Sequence, residues 1–337
     1  MKKILQTIMI EINNSCNLSC IMCMIKNRPK PFMEFSLFKK ILSDWQESGR
    51  CFDLFMPFFR GEPLLHPQFI EFLRLFFEKN KDYTLAKSIA FDTNANLLDK
   101  DLSDIILTSR QFSTITFSID AIKENTYENI RKGGNLNKVI KNIKDFIQLR
   151  KEYGFSFPKI RLQFIVMPEN INEAKEFLNF WKSYFKEINI ILDIIFEYDT
   201  SENSNDCIFF RPCMSYDKEK QSNDKRLYEQ LYLDIKGNRP LFKDLPDICS
   251  GPFSHIVITS DGLVLPCCVD NQDRLTIGDV KEQKLVKIMN GSSLKKLRRL
   301  HLSMNKSKID VCRDCPGQFF PVIDESILKE LIDKYEN

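Results

Sequence analysis

The sequence IMIEINNSCNLSCIMCM, residues 8–24, carries three cysteines directly after a short apolar run. The apolar run is typical of a buried strand, and Cys16, Cys20 and Cys23 follow it with the spacing CxxxCxxC. Four cysteines would fill the shell of a structural metal, whereas three leave one iron of a [4Fe–4S] cube without a protein ligand. That open iron can bind a substrate or a cofactor. The alternatives are a zinc site that lacks one ligand and three unrelated buried thiols.

The composition is that of an ordinary globular protein, with 337 residues, 43% of them apolar and 28% charged. The net charge is +3 with acids and bases interspersed, which argues against a nucleic acid or a membrane surface as main partner. No stretch approaches the ~18 apolar residues of a membrane span, and the first apolar run is too short for a signal peptide. We therefore expect a cytoplasmic protein, whose eleven cysteines are better explained by metal ligation than by disulfides.

Strand-like and helix-like patterns alternate from the cysteine motif to residue 197. The predicted helices are 34–48, 67–80, 100–108, 136–152 and 172–185, and the predicted later strands are 52–59, 88–92, 114–119, 159–166 and 190–197. This alternation predicts an α/β fold of six or seven β/α units, with right-handed crossovers and a parallel sheet closed or partly closed into a barrel. Such folds build their sites at the C-terminal ends of the strands, which is where the three cysteines lie.

Composition divides the chain into three regions. Residues 1–199 carry the barrel pattern, and residues 200–247 are polar and charged, which predicts a linker or bridging segment. Residues 248–337 bring further cysteines together with a β-hairpin, HIVIT and LVLP around Asp261 and Gly262. A helix, SSLKKLRRLHL, follows, and its basic residues are predicted to form a solvated face.

The CxxxCxxC motif after the first strand resembles that of the radical S-adenosylmethionine (SAM) superfamily. In that family three cysteines hold a [4Fe–4S] cluster, and the open iron chelates the amino and carboxylate groups of SAM. The resemblance implies a partial (β/α)6 parallel barrel. It also implies reductive cleavage of SAM to methionine and a 5′-deoxyadenosyl radical, which abstracts a hydrogen atom from an unactivated carbon.

Further stretches at the ends of later strands resemble the family's SAM-binding segments. RGEP at 60–63 stands where the family usually has GGEP, a segment whose backbone typically holds the methionine amino group. Thr93, Asn94 and Ala95 resemble the family's TNG. By resemblance, the SAM contacts are Arg60, Gly61 and Glu62 for the amino group, Asn94 for the ribose, and Ser118, Arg131 and Gln163 on the carboxylate side.

Three of these residues also fit positions that have nothing to do with SAM binding. Glu62 fits a surface turn, Ser118 a hydroxyl in the barrel core, and Arg131 a solvated helix position. Arg60 and Ala95 replace glycines of the family pattern. These two departures leave a second function as an alternative, namely a non-catalytic iron–sulfur or zinc scaffold that retains the fold.

A second set of four cysteines lies in the C-terminal region, enough to fill a coordination shell with no open position. The set is Cys249, Cys267, Cys312 and Cys315. A zinc site competes, although zinc ribbons normally use two CxxC pairs and only one is present here. The hairpin, helix and CxxC resemble the SPASM/twitch module of radical SAM enzymes, in its shorter twitch form. The resemblance implies a second, auxiliary [4Fe–4S] cluster with four cysteine ligands.

Four thiols and three histidines fall outside both sets. They are Cys51, Cys207, Cys213, Cys268, His66, His255 and His301. Cys51 is predicted to be a small core residue, and Cys268 to point away from its neighbour Cys267. Cys207 or Cys213 could serve as a hydrogen-atom donor or a spare ligand. The histidines match no ligand spacing, so core or surface roles are expected.

The resemblance implies an oxidoreductase that acts on a small molecule, such as a sugar or amino alcohol, and passes an electron to the auxiliary cluster. The alternatives are a maturase of a ribosomally made peptide and the non-catalytic scaffold. Either enzyme needs outside electrons, so a flavodoxin-type or ferredoxin-type donor is an implied partner.

Overall fold

The structure is a computed structural model that describes residues 4–25, 32–197, 205–238, 248–313, 315 and 325–336. The chain divides into two compact units. The first unit comprises residues 1–15, 27–89 and 243–337, and the second comprises residues 16–26 and 90–242.

Strands and helices alternate along most of the described chain. The strands are β1 (Thr7–Ile10), β2 (Ser19–Cys20), β3 (Leu54–Met56), β4 (Ile89–Thr93), β5 (Phe112–Ser118), β6 (Arg131–Lys132), β7 (Lys159–Val166), β8 (Leu192–Phe196), β9 (Asp206–Pro212), β10 (His255–Ile258), β11 (Leu263–Leu265) and β12 (Gly278–Asp279). The α-helices are α1 (Phe35–Glu47), α2 (Phe69–Lys79), α3 (Lys100–Ser109), α4 (Glu124–Ile130), α5 (Leu136–Glu152), α6 (Ala174–Glu187), α7 (Lys218–Lys236), α8 (Gly251–Ser254), α9 (Leu285–Met289), α10 (Ser292–Leu302), α11 (Asp310–Arg313) and α12 (Glu325–Glu336).

In the first unit, strands lie in the order β12-β11-β10-β1-β3. β1 pairs in parallel with β10 and with β3, whereas β11 is antiparallel to both of its neighbours. All four residues of β1 are buried, as expected for a strand covered on both faces. β10 and β11 form the predicted hairpin, and its Gly262 has a φ of +94°, which glycine tolerates best. The hairpin leads directly to Cys267.

In the second unit, strands lie in the order β4-β5-β7-β9-β8, and β5, β7, β9 and β8 are parallel. Successive side chains of a strand point to opposite faces of the sheet. Phe117 of β5 packs on Phe146 of α5, so one face is covered by helices. Ser118 and Gln163, which are paired in register, therefore lie on the opposite face. That face carries several of the predicted site residues.

The helices follow the apolar spacing of the sequence. In α1 the buried residues Phe38, Ile41, Leu42 and Trp45 recur at helical intervals and form one face. Phe38 packs on Phe72 of α2, with ring centroids 4.7 Å apart. The predicted helix 34–48 is confirmed to within one residue at each end. Within the described residues, no helix combines the length and the hydropathy that a membrane crossing requires.

The stretch predicted to be a polar linker contains regular structure. Residues 206–212 form β9, which pairs with both β7 and β8, and residues 218–236 form α7. Only a few α7 residues, including Tyr228 and Leu231, are buried, so its apolar stripe is too sparse to stand out in the sequence. Residues 200–204 and 239–247 of the predicted linker lie outside the described part of the chain, and the proposed three-region division stays a prediction.

Candidate functional site

Three cysteines of the motif lie in one loop of the second unit. Cys20 belongs to the short strand β2, which pairs with β6, and the backbone N–H of Cys23 donates to the carbonyl of Cys20 over 3.1 Å. The Cys16 sulfur accepts a hydrogen bond from the N–H of Leu18 over 3.4 Å. Burial raises the pKa of Cys20, Arg131 lowers it, and the charges of Cys16 and Cys23 raise it further. The Cys20 sulfur therefore lies near enough to Cys16 and Cys23 to be affected by the charge of each.

Arg131 lies beside this loop but is engaged with a carboxylate of the protein. Its Nε donates to Oδ2 of Asp120 over 2.8 Å, and a second guanidinium nitrogen contacts the same oxygen. Asp120 is fully buried and also accepts from the N–H of Ile165 over 2.7 Å. Burial lowers the pKa of Arg131, but Asp120 and Cys20 more than offset this and the pKa is raised. The remaining nitrogen lies 3.8 Å from the Cys20 sulfur, so Arg131 contacts both the buried carboxylate of Asp120 and the cysteine motif.

Ser118 and Gln163 belong to a polar row on one face of the second unit's sheet. Gln163 Nε2 donates to Ser118 Oγ over 3.1 Å, and its Oε1 accepts from Arg211 over 3.2 Å. Arg211 also donates two hydrogen bonds, of 3.0 and 2.8 Å, to the carboxylate of Glu197. Arg211 was not predicted to belong to the site because its strand lies in the polar stretch, and Glu197 was not because only its contact with Arg211 marks it.

Asn94 sits at the end of β4 and is buried. Its side-chain amide donates to Oδ1 of Asn17, in the cysteine loop, over 2.9 Å. Ala95, which replaces a glycine of the family pattern, has a φ of +58°. A left-handed φ disfavours residues with a side chain, which accounts for glycine at this position of the TNG pattern.

In the first unit, the GEP segment packs against the chain that leaves β1. The N–H of Glu62 donates to the carbonyl of Ser15 over 2.8 Å, and its carbonyl accepts from Asn13 Nδ2 over 2.6 Å. Gly61 has a φ of +85°, and a Cβ at this position would lie 2.5 Å from the carbonyl oxygen of Asn13. Both the conformation and the space therefore require glycine.

We expect Gly61→Ala to lower the free energy of unfolding by at least about 3 kcal/mol, because it combines a left-handed φ with a clash against backbone atoms. The matched control is Gly154→Ala, where φ is +67° and no atom lies within 4 Å of the added Cβ. The control should cost only about 1 kcal/mol. Urea unfolding of the two variants side by side measures the difference. Equal losses would show that crowding at the GEP segment is not the cause.

Arg60 precedes this glycine and holds three segments of the first unit together. Its Nε and a terminal nitrogen donate to the two oxygens of Glu11 over 2.7 and 3.0 Å. Another nitrogen reaches Asp273 over 3.0 Å and the carbonyl of Asn271 over 3.2 Å. Glu11 is fully buried, so the arginine compensates a charge that would be costly alone. Arg60 therefore has a structural role that the glycine of the family pattern, which has no side chain, cannot have.

Four cysteines of the second set also lie near one another in the first unit. Burial raises the pKa of Cys249 to about 11, with Cys315 adding to the shift. Burial likewise raises the pKa of Cys312 to about 12, with Cys249 and Cys315 contributing. The pKa of Cys267 is raised well above its usual value by burial, and Cys249 and Cys315 are again among its neighbours.

The chemistry of both donor sets fits iron–sulfur clusters. Three thiols serve a cube with one open iron, and four thiols serve a closed cube. In the described part of the chain, no three His, Cys, Asp or Glu residues are placed to hold a single metal ion. A cube accepts thiols that lie farther apart than one ion does, because irons and sulfides separate its ligands.

Residues 10–180 match the family model of the Radical SAM superfamily, which is half of the chain. The chain belongs to the radical SAM superfamily. Residues 249–316 match SPASM, an iron–sulfur cluster-binding domain. The protein is therefore a radical SAM enzyme with a SPASM domain. A radical SAM domain binds a [4Fe–4S] cluster and SAM, and a SPASM domain binds auxiliary iron–sulfur clusters, so the predicted cofactors are confirmed.

Curated proteins that resemble the chain share about a quarter of its residues over the matched stretches. A GTP 3′,8-cyclase of Clostridium botulinum (strain Hall) is 26% identical over 181 residues, 52% of each protein. The chain thus spans about half the length of the first curated relatives it matches. The "tungsten-containing aldehyde ferredoxin oxidoreductase cofactor-modifying protein" of Pyrococcus furiosus is 27% identical over 269 residues, 77% of this chain and 69% of that protein.

Solved structures share the fold. The radical SAM chain resembles anSMEcpe with bound AdoMet at a TM-score of 0.59 and 18% identity, covering 98% of this chain and 93% of that one. It resembles BtrN in complex with AdoMet and 2-DOIA at a TM-score of 0.53 and 16% identity, covering 96% and 98%. The predicted fold class is confirmed: an α/β fold with a mostly parallel sheet, consistent with a partial barrel, followed by a C-terminal SPASM domain.

The four thiols of this radical SAM enzyme that belong to neither set differ in their surroundings. Cys51 was predicted to be in the core but is exposed, because it precedes β3 and its thiol contacts the carbonyl of Tyr83. Cys207 and Cys213 are buried, at and just beyond β9. Cys268 packs into an apolar cluster with Met9, as expected for a residue that turns away from Cys267.

One histidine contacts a cysteine of the second set. His301 Nε2 lies 3.6 Å from the Cys312 sulfur, and the imidazole is almost fully buried. Burial and, to a smaller extent, the charge of Lys306 lower its pKa to about 4. The two residues are eleven positions apart with no ligand motif between them, so this contact could not be predicted from the sequence.

Proposed function

We propose that Cys16, Cys20 and Cys23 hold the cluster that binds SAM, and that Cys249, Cys267, Cys312 and Cys315 hold one auxiliary [4Fe–4S] cluster. The observation that supports this is the grouping of thiols into a set of three and a set of four. The first set leaves a position for SAM, and the second leaves none.

We propose the SAM contacts that the resemblance implies. In the first unit, the main chain of Gly61 and Glu62 would hold the methionine amino group, and Arg60 would fix that segment through Glu11. In the second unit, Asn94 would serve the ribose, while Ser118 and Gln163 would serve the carboxylate side. Arg131 would act there as a cation whose orientation is set by Asp120.

We further propose that the enzyme oxidises its substrate by two electrons. When bound, the first cluster and SAM supply the radical that removes a hydrogen atom. The substrate would then lose one electron to the auxiliary cluster and one proton to a base. The chain's own residues bind and orient the substrate and exclude water, which protects the radical from side reactions.

A small molecule such as a sugar or amino alcohol is the substrate class we favour. Two observations support this class. The C-terminal region has a single set of four cysteines, as in the twitch form, and the fold is shared with BtrN, whose structure contains 2-DOIA. A peptide is the second candidate, because anSMEcpe is also known in complex with AdoMet and the Cp18Cys peptide. A flavodoxin-type or ferredoxin-type protein is the proposed electron donor for either reaction.

The test is to supply the reconstituted enzyme with dithionite, SAM and two substrate panels, one of aminosugars and amino alcohols and one of short peptides. We expect a product two electrons more oxidised, formed in step with 5′-deoxyadenosine, from the first panel only. The double variant Cys249→Ala with Cys267→Ala, which leaves two thiols in the second set, should still release 5′-deoxyadenosine but form little oxidised product. Turnover of peptides alone would favour the second candidate. Undiminished product from this double variant would exclude electron transfer through the auxiliary cluster.

A further inference from the structure

His301 and Cys312 meet in the first unit, where α10 carries the histidine and α11 the cysteine. The Nε2 atom of His301 lies 3.6 Å from the Cys312 sulfur, within reach of a hydrogen bond to sulfur. His301 is 1% exposed, so water does not compete for this contact. The contact is therefore a fixed feature of the packing between α10 and α11.

The chemistry of the pair decides which group donates. A cysteine sulfur bound to a cluster carries no proton and can only accept a hydrogen bond. The imidazole must then carry its proton on Nε2. Among the described residues, Nδ1 of His301 is buried and has no hydrogen-bond partner. The Nε2–H tautomer suits this environment, since it places the only N–H of the neutral ring against the sulfur.

We propose that His301 donates a hydrogen bond from Nε2 to the Cys312 sulfur and thereby raises the reduction potential of the auxiliary cluster. The proposal rests on the assignment of Cys312 as a ligand of that cluster. His301 is a positioning residue, since it acts through a ligand and touches neither iron nor substrate.

The direction of the effect follows from charge. Reduction adds one negative charge to a cluster, and part of that charge resides on the cysteine sulfurs. A hydrogen-bond donor at a sulfur stabilises the reduced form more than the oxidised form, and such bonds are among the factors that set cluster potentials. A higher potential makes the auxiliary cluster a better acceptor for the electron that the substrate radical must lose.

The experiment isolates the auxiliary cluster by replacing Cys16, Cys20 and Cys23 with alanine. In that background, His301→Leu removes the donor, and His301→Gln keeps an N–H donor. The matched control is His255→Leu, because His255 is a partly buried histidine of the same unit that contacts Ser254. An anaerobic redox titration followed by electron paramagnetic resonance measures the potential of each variant.

We expect His301→Leu to make reduction about tenfold less favourable, a decrease of ~59 mV for a one-electron couple. His301→Gln should recover most of this shift, and His255→Leu should leave the potential unchanged. An unchanged potential in His301→Leu, with the cluster present, would overturn the proposal. Strong nitrogen coupling in pulsed spectra of the parent would also overturn it, because His301 would then be a ligand.

Two further measurements keep the outcomes separate. Cys312→Ala in the same background should lose or alter the auxiliary signal, because one iron loses its protein ligand, and an unchanged signal would contradict the ligand assignment and not the role of His301. If His301→Leu does not fold, the parent itself supplies the test. Its spectra should show a proton coupling that exchanges in D₂O and is altered by ¹⁵N-histidine labelling. Absence of that coupling would overturn the proposal.

Discussion

Cys20→Ala should lower the iron content of the reconstituted protein from about eight to about four per chain and abolish release of 5′-deoxyadenosine. The physical reason is that three thiolates already leave one iron unligated, so a site with two cannot retain the cube. The double variant Cys249→Ala with Cys267→Ala leaves only two thiols in the second set, so it should also lose about half of the iron, yet it should keep SAM cleavage because the first set is intact. Iron and sulfide analysis, with product chromatography, measures both effects.

The control for these variants is Cys51→Ala, since Cys51 is exposed and belongs to neither set. It should retain about eight irons and full SAM cleavage. Unchanged SAM cleavage in Cys20→Ala would contradict the assignment of the first set. About four irons and one zinc in the parent protein would replace the proposed auxiliary cluster with a structural zinc site.

Arg131→Leu should lower the free energy of unfolding by about 3–5 kcal/mol, because it leaves the buried carboxylate of Asp120 without its cation. Asp120 is fully buried, and Arg131 is 6% exposed. The charge would then be balanced only by the N–H of Ile165 and the side chains around it. Urea unfolding followed by circular dichroism measures the loss, and the same variant should weaken SAM cleavage because Arg131 also reaches the Cys20 sulfur.

Two comparisons make this result interpretable. Lys141→Leu breaks an exposed ion pair with Asp145 and should change stability little. The double variant Arg131→Leu with Asp120→Asn removes both charges and should recover much of the lost stability, because asparagine tolerates the left-handed φ of residue 120 and keeps an acceptor for the N–H of Ile165. A small loss in Arg131→Leu, similar to that of Lys141→Leu, would show that the buried pair is not stabilising as described.

The parts of the fold that the sequence predicted are those with a local signal. Apolar spacing located α1 and α5, and the CxxxCxxC spacing located the first cysteine set, because these patterns depend on neighbours in the chain. β9 and α7 were missed because polar composition hid them. β9 is positioned by its pairing with β7 and β8, and this pairing could not be predicted from the sequence.

Contacts between distant residues explain what was missed in the site. The sequence placed Arg60 in a SAM-binding segment as a replacement of glycine, whereas its contacts with Glu11 and Asp273 depend on how three separate segments pack. The same holds for His301, whose neighbour Cys312 comes close only because α10 and α11 fold together. Residue types can be predicted from a motif, but partners of this kind require coordinates.

The most direct test of the account is whether the anaerobically reconstituted protein, given dithionite and SAM, releases 5′-deoxyadenosine. We predict that it does, that Cys51→Ala does so equally, and that Cys20→Ala does not. The product is measured by liquid chromatography with mass spectrometry against a sample lacking reductant. No 5′-deoxyadenosine from the parent protein with any reductant, although both clusters are present, would contradict the account.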